Sequence, residues 1–344
     1  MKIGLFVAAQ YPQDASAAAG IDAHLAQVGL AREAGFSTVV AGQHFLSHPY
    51  QMAQPIPLLA RLAAVAEGMR VGPAILLLTL LNPLEVAENL ATLDAISPGG
   101  VVAGFGLGYR QVENAAFGVE DKRAALFEGK VDVVRRLLAG ERVTASGPGY
   151  ELSDAQLSLT PRRTPEIWIA ANSDAAVRRA ARIGDAWLLN PHTTIAELER
   201  QVGLYRAQRT ECGMPESALP ALREVCVAET DEAALEIARP YLGPKYDAYV
   251  EWGQSEALPP TDTLRRNFSD LAQEGRFVIG SPQSCAEQML EHESRLGVDE
   301  ILCRVAWPGM PPEQAMRSLE LLAREVLPLI SASKRQSETP GTGP

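Results

Sequence analysis

The chain of 344 residues is 47% hydrophobic and 21% charged, with a formal net charge of −11, which is typical of a globular protein of one large or two ordinary domains. The negative charge disfavours a general role at nucleic-acid phosphates or at a membrane surface. The four cysteines are widely spaced, no histidines cluster, and Met1-Lys2 leads directly into a strand-like run. We therefore expect no metal site, no disulfide framework, no membrane span and a cytoplasmic location.

Short apolar runs alternate with longer helical patterns along the chain. They predict eight strands: Ile3–Ala9, Thr38–Gly42, Val71–Leu78, Val101–Gly106, Glu166–Ala171, Ala186–Asn190, Arg223–Ala228 and Glu300–Val305. Because these runs are almost continuously apolar, both faces of each strand should be buried. Eight successive βα units predict an α/β fold of the (β/α)8 TIM-barrel type, forming one domain over residues 1–330. A doubly wound sheet is the alternative.

Three segments depart from this alternation. Residues 140–160 contain a Gly-Pro-Gly turn and predict a β-hairpin insertion, and residues 251–275 form a polar, proline-bearing insertion. In a barrel these insertions would frame the active-site mouth or simply decorate the surface, and for the hairpin surface decoration is favoured. Residues 331–344 are rich in Ser, Thr, Gly and Pro, so we expect a disordered tail.

Candidate functional residues follow the predicted strands, where barrels carry their chemistry. His44 follows the second strand, and its imidazole suits proton transfer near neutral pH, although a lone histidine more often has a structural role. The GFGLG run from Gly104 lacks the spacing of a Rossmann fingerprint, so its glycines instead indicate close approach of backbone to a ligand. Asn172-Ser173 precedes a helix and fits either a phosphate site or a plain helix cap.

The chain resembles the bacterial luciferase-like flavin-dependent oxidoreductases, a superfamily of (β/α)8 barrels, from residue 1 to about residue 330. The resemblance is carried by the segments VVAGQHF, AILLLTLLNPLEVAENLATLDAISPGG, GFGLGYR, IWIAANSDAAVRRAARIGDAWLLN and GVDEILCRVAWPGM. It implies a flavin across the strand ends, most often reduced FMN. The residues implied at the cofactor are Ala8, Ala9, Leu78, Thr79, Gly106, Gly108, Tyr109, Asn172 and Ser173.

The resemblance also implies roles for individual side chains. It makes His44 the catalytic residue, matches Glu113 to an acidic position of the family, and places a bulge with a non-prolyl cis peptide at Leu78-Thr79. The loops at the strand ends add a predicted substrate pocket of Tyr11, Phe45 and Trp307. In two places the chain departs from the family pattern. Gln43 replaces an Asp or His, and Leu107 replaces an arginine for the phosphate, for which Arg110 is the candidate substitute.

The leading hypothesis is a two-component monooxygenase that uses reduced FMN from a separate flavin reductase and O2. A peroxyflavin, shielded from water, would oxygenate a small organic substrate. A deazaflavin-dependent hydride-transfer oxidoreductase of the same superfamily is the first alternative, and a non-catalytic flavin-binding protein is the second. Homodimers are common in the family, so a homodimer is expected.

Overall fold

The computed structural model describes residues 1–119 and 123–338. Its strands are β1 (Lys2–Val7), β2 (Gln10–Pro12), β3 (Thr38–Ala41), β4 (Tyr50–Met52), β5 (Arg70–Pro73), β6 (Leu76–Leu77), β7 (Val102–Gly106), β8 (Val143–Gly147), β9 (Tyr150–Ala155), β10 (Glu166–Ala170), β11 (Ala186–Leu188), β12 (Pro220–Val227), β13 (Val278–Gly280) and β14 (Glu300–Arg304). Its α-helices are α1 (Ala17–Glu33), α2 (Pro55–Ala63), α3 (Pro83–Ile96), α4 (Gln111–Ala116), α5 (Arg123–Leu138), α6 (Asp174–Ile183), α7 (Ile195–Glu211), α8 (Asp231–Glu251), α9 (Phe268–Gln273), α10 (Pro282–Leu296), α11 (Pro312–Leu321) and α12 (Leu327–Glu338).

Eight parallel strand positions close into a barrel. Around it run β1, β3, β5 with its continuation β6, β7, β10, β11, β12 and β14, and β14 pairs back onto β1. Single parallel bridges complete two of the joins, Val71 to Val101 and Leu189 to Ala221. All eight predicted strands form within one or a few residues of the expected bounds. The (β/α)8 barrel is confirmed, and the doubly wound sheet is wrong.

The sequence builds this barrel through continuous apolar strands, as expected. Within β1, Leu5 and Val7 belong to the main core, whereas Phe6 belongs to a separate cluster with Val40 and Trp168. Neighbouring residues of a strand point to opposite sides, so one set packs against the helices and the other fills the barrel. Both faces of the strands are therefore buried, and the side chains that line a cavity lie mainly at the strand ends.

Helix starts are marked by local sequence signals. Asn82 accepts a hydrogen bond from the Leu84 amide at 2.9 Å, and Pro83 occupies the first turn of α3. Ser281 and Pro282 begin α10 in the same way. These caps fix where each strand-end loop stops, so they position the loops that surround the barrel mouth.

The third barrel strand is interrupted. The peptide bond between Ala74 and Ile75 is cis, β5 ends at Pro73, and β6 resumes at Leu76. The expected cis peptide at Leu78-Thr79 is wrong, because Leu78–Leu80 forms a 3-10 turn that leads towards α3. The irregular backbone thus lies four residues earlier than the resemblance implied.

The predicted insertions differ in character. Residues 140–160 contain the antiparallel hairpin of β8 and β9, as expected. Residues 251–275 contain a 3-10 turn at Ser255–Ala257 and α9. Two strand features were not predicted: the antiparallel β2–β4 ribbon, and β13, which pairs with the second half of β12.

The end of the described chain is helical. α12 runs from Leu327 to Glu338, so the expected disorder is wrong for residues 331–338, while residues 339–344 lie outside the described residues. Over the part of the chain described here, no helix combines the length and the hydropathy that crossing a bilayer requires.

One prediction concerns the close approach of the third and fourth barrel strands. A Cβ at Gly72 would overlap the Val102 carbonyl oxygen, whereas a Cβ at Gly129, inside α5, would meet no atom within 4 Å. We expect Gly72→Ala to lower the free energy of unfolding by about 1–3 kcal/mol and Gly129→Ala to raise it by about 0.5–1 kcal/mol. Chemical denaturation measures both. Equal stability of the two variants would contradict the described strand packing.

Candidate active site

A cavity of about 530 Å³ lies at the carboxyl ends of the barrel strands, a size typical of small-molecule sites. Its wall includes residues from the ends of β1, β3, β7, β10, β11 and β14. Eight of the predicted site residues line it: Ala8, Ala9, His44, Gly106, Gly108, Tyr109, Asn172 and Ser173. Barrel closure thus brings together residues that are up to 165 positions apart in the chain, from Ala8 to Ser173.

Leu78 and Thr79, which were expected at the cofactor, do not line the cavity. Both are buried, and the Thr79 hydroxyl donates to the Leu107 carbonyl at 2.9 Å. The Lys130 ammonium donates to the Thr79 carbonyl at 2.7 Å. The 3-10 turn therefore joins neighbouring loops, and Ala74 and Ile75, which flank the cis peptide, take its place in the cavity wall.

The three predicted substrate-pocket residues also lie outside the cavity wall. The Tyr11 ring covers Gly20 in the β2–β4 region, and burial raises the pKa of Tyr11 to about 12. The Phe45 ring packs on Phe117, with ring centroids 4.6 Å apart. The Trp307 indole donates to Glu224 Oε2 at 2.6 Å. The Phe45 ring and the Trp307 indole have partners within the fold, whereas the Tyr11 hydroxyl is buried without one. None of the three side chains lines the cavity.

The glycines of β7 have a packing function. A Cβ at Gly104 would overlap the Pro73 carbonyl oxygen, and one at Gly106 would lie 2.5 Å from Ile75 Cδ1. Gly108 has a φ of +79°, a conformation that favours glycine. Gly104 and Gly106 thus let β7 approach the irregular third strand, and Gly108 turns the chain at the cavity wall. Gly106 and Gly108 also line the cavity, so their expected closeness to a ligand stays a prediction.

His44 is held by a buried carboxylate. Its Nδ1 lies 3.0 Å from Glu113 Oε1, and the two side chains are 15% and 1% exposed. The same oxygen accepts from the Phe45 amide at 2.8 Å. Because an ionised carboxylate only accepts hydrogen bonds, Nδ1 carries the proton and Nε2 is the nitrogen free to accept one. His44 can thus take up a proton at the cavity, and Glu113 stabilises the cation that results.

Arg110 does not reach the cavity wall. Its guanidinium donates to the Phe45 carbonyl at 2.7 Å and to the Leu46 carbonyl at 3.1 Å, and it lies 4.1 Å from the Trp252 ring centroid. It fixes the loop that carries His44. The suggestion that Arg110 substitutes for the missing phosphate arginine is therefore not supported.

Two other arginines line the cavity, Arg123 at the start of α5 and Arg179 in the second turn of α6. Arg123 Nη1 donates to the Gly108 carbonyl at 3.3 Å, and Arg179 Nε donates to Glu128 Oε1 at 2.9 Å. The Ser173 hydroxyl caps α6 by accepting from the Ala176 amide at 3.4 Å. A helix N-terminus and guanidinium groups are features that favour a bound anion. Neither arginine was singled out from the sequence, because both lie within ordinary helical patterns.

Gln43, which stands next to His44 where the family pattern has an Asp or His, supports the irregular third strand. Its side-chain carbonyl accepts from the Leu77 amide at 2.9 Å, and its amide donates to Gln54 Oε1 at 2.9 Å. An ionised carboxylate at this position would lack the donor for Gln54. The glutamine is therefore matched to its neighbours.

A buried ion cluster lies beside the cavity on the β12–β14 side. Glu224 Oε1 accepts from Arg304 Nη1 at 3.0 Å and also from the Lys245 ammonium. Burial, followed by the Arg304 charge, lowers the pKa of Lys245 to about 7. Burial alone would raise the pKa of Glu224, but Arg304 and Lys245 bring it below the usual value. Sequence reasoning missed all three residues, since nothing local distinguishes them from solvent-exposed charges.

In the described residues, no group of three or more His, Cys, Asp or Glu side chains is arranged to hold a metal ion. The groups available in the cavity are a histidine with a carboxylate partner, a helix N-terminus with two arginines in the same wall, and apolar side chains.

Comparison with known proteins agrees with this geometry. Residues 1–300 match the family model described as luciferase-like monooxygenase. The protein y4vJ of Sinorhizobium fredii is 26% identical over 365 aligned positions, covering 98% of this chain and 100% of that protein. The F420-dependent glucose-6-phosphate dehydrogenase of Beutenbergia cavernae is 32% identical over 174 residues, covering 48% of this chain and 51% of that protein.

Among solved structures, the monooxygenase RslO1 from Streptomyces bottropensis superposes with a TM-score of 0.83 at 25% identity, covering 96% of this chain and 99% of that chain. The family match extends over most of the chain and includes the cavity residues from Phe6 to Ala257, with Arg304 beyond its end. The chain therefore belongs to the luciferase-like monooxygenase family and is an oxidoreductase of the flavin-dependent or F420-dependent kind.

Proposed function

We propose that the protein is a two-component monooxygenase that uses reduced FMN, supplied by a separate flavin reductase, and O2 to oxygenate a small organic substrate. The observation that carries the proposal is the joint presence, in one cavity, of an anion site at α6 and a carboxylate-held histidine at β3. The likeness to a monooxygenase over nearly the whole chain supports oxygenation.

The cavity residues fit FMN. The α6 N-terminus with Arg123 and Arg179 would hold the phosphate, and the small side chains Ala8 and Ala9 would lie against the ring system. Reduced FMN, when bound, supplies the electrons with which O2 is activated. Ser173 is the N-cap residue of α6, so the backbone N–H groups of the first turn that follow it would face the phosphate.

The chain's own residues then have two tasks. His44 accepts or returns a proton at Nε2, while Glu113 holds the ring and balances its charge. Phe6, Ile75 and Leu222 form apolar parts of the wall and exclude water, which protects reactive species from hydrolysis and unwanted proton transfer.

Deazaflavin-dependent hydride transfer is the second candidate. It is favoured by the 32% identity to an F420-dependent dehydrogenase, although that match covers only about half of each chain. Such a cofactor also carries a phosphate, so the α6 site alone does not distinguish the two. The choice depends on which reduced cofactor binds more tightly.

The phosphate site gives a test. We expect Arg123→Gln combined with Arg179→Gln to weaken binding of reduced FMN by about tenfold or more, because charge-assisted hydrogen bonds are lost. Binding of reduced riboflavin, which has no phosphate, should not change. Anaerobic titration followed by absorbance measures both affinities.

Arg178→Gln is the matched control, because Arg178 lies on the same helix but is exposed and bonds to Gln208. Its FMN affinity should equal that of the wild type. An equal loss in the Arg178 variant, or a parallel loss for riboflavin, would remove the assignment of the phosphate to α6.

A further inference from the structure

Several donors in the cavity wall have no partner. Four side-chain nitrogens of lining residues are buried without a hydrogen bond within the described chain: Gln10 Nε2, Asn190 Nδ2, Gln254 Nε2 and Arg304 Nε. A buried donor without a partner costs about 1–3 kcal/mol, so a wall rich in such groups indicates a ligand that brings acceptor oxygens.

Two of these donors belong to one connected group. The Tyr249 hydroxyl donates to Gln10 Oε1 at 3.2 Å, and the Arg304 guanidinium contacts the same hydroxyl. β1 and β14, which lead to Gln10 and Arg304, are paired neighbours in the barrel. Gln10 and Arg304 are 7% and 6% exposed, so Tyr249 holds together two buried side chains that each keep a free N–H.

Arg304 is fixed in place. Its Nη1 donates to Glu224 at 3.0 Å, and its guanidinium lies 4.1 Å from the Phe6 ring centroid. The ion pair and the ring contact leave Nε as the donor without a partner. A rigid guanidinium with a free N–H is a strong point of attachment for a carboxylate.

The charge on this side of the cavity is positive. Glu224 is bonded to two cations, Arg304 and Lys245, and the hydrogen bonds of the buried Arg223 run to His292 and to backbone carbonyls. After burial, the causes that hold the pKa of His192 well below its usual value are the charges of Lys245, Arg304, Arg276 and Arg223. Arg276 is paired with Asp262 and Glu274, so the excess of positive charge is that of Arg304, Lys245 and Arg223 over Glu224. An anion would offset this excess.

This group is separate from the α6 anion site. In the order of strands around the barrel, β10, which leads to Ser173, is four strands from β1 and three from β14. The Tyr249 ring centroid, in contrast, lies 6.2 Å from that of His44. A ligand held at Gln10 and Arg304 therefore lies beside the histidine and across the barrel from the phosphate.

We propose that Gln10 and Arg304 bind a carboxylate of the organic substrate, which makes the substrate class an organic acid. This proposal rests on the proposed function, under which the bound acid is the molecule that is oxygenated. The carboxylate accepts from Arg304 Nε and Gln10 Nε2, and the rest of the molecule extends towards His44.

Calorimetric titration of the purified protein with benzoate and hexanoate, each compared with its neutral amide, tests the proposal. We expect at least one of the two carboxylates to bind about tenfold or more tightly than its amide, with or without saturating FMN. Gln10→Glu keeps the acceptor for Tyr249 and places a carboxylate oxygen next to Arg304. This variant should lose at least tenfold in affinity for that carboxylate.

The controls separate charge from position and from folding. Gln111→Glu adds the same charge at an exposed position outside the cavity wall and should leave carboxylate binding unchanged. Arg304→Lys keeps the positive charge beside Glu224 but lacks Nε, so a folded Arg304→Lys protein with weakened carboxylate binding supports the same conclusion. Thermal unfolding shows whether each variant is folded.

Three results would overturn the proposal: equal binding of acids and amides, full carboxylate binding by Gln10→Glu, and displacement of the carboxylate by FMN. The last would assign the donors to the flavin. Failure of FMN to bind would contradict the proposed function instead, because carboxylate binding is also measured without flavin.

Discussion

Replacing His44 with glutamine is expected to lower kcat for oxygenation by about 10²- to 10⁴-fold, the range that positioned proton transfer contributes. In the described cavity wall, His44 is the only residue with one ring nitrogen hydrogen-bonded to a buried carboxylate and the other nitrogen free. Glutamine is polar and similar in length but cannot take up a proton. Product formation with reduced FMN and O2 measures the loss.

His48→Gln is the control, because His48 is exposed on the same loop and its side chain does not line the cavity. Its turnover should match that of the wild type, and reduced FMN should bind both variants as tightly as it binds the wild type. A His44→Gln protein with undiminished kcat would remove the proton-transfer role.

The second large effect is expected at the buried ion cluster. Glu224→Gln removes the only carboxylate that accepts from both Lys245 and Arg304 in the described structure, and all three side chains are almost fully buried. Removing one member of a buried ion group leaves uncompensated charge and costs about 3–5 kcal/mol. Chemical denaturation near neutral pH should show a loss of this size in the free energy of unfolding.

Glu229→Gln is the comparison, because Glu229 pairs with Arg317 at 2.9 Å on the exposed surface. Exposed pairs contribute little, so its unfolding midpoint should stay close to that of the wild type. If both substitutions lowered the free energy of unfolding by the same small amount, the buried cluster at Glu224 would not stabilise the fold as expected.

The barrel could be predicted because its strands are continuous apolar runs, and such runs identify themselves locally. Their ends then locate part of the site. His44, Ser173 and Tyr109 each follow a predicted strand, and barrel closure brings them to one cavity. This part of the site depends only on strand positions and on the rule that strand ends meet at one face.

The rest depends on contacts that no local pattern reveals. Arg179 lines the cavity and Arg178 does not, although they are adjacent in one helix with similar surroundings in sequence. Tyr11 follows a strand as predicted, but the β2–β4 ribbon turns its ring onto Gly20 and away from the cavity. Arg304 acquires its importance from Glu224, 80 positions earlier in the chain. Side-chain direction and distant partners decide these roles.

The most direct test of the central claim is anaerobic titration of the purified protein with reduced FMN and with reduced F420, followed by admission of oxygen in the presence of an organic acid. The account predicts that reduced FMN binds at least about tenfold more tightly than reduced F420 and that oxygen from O2 enters the product. Tighter binding of reduced F420, with hydride transfer that needs no oxygen, would contradict it.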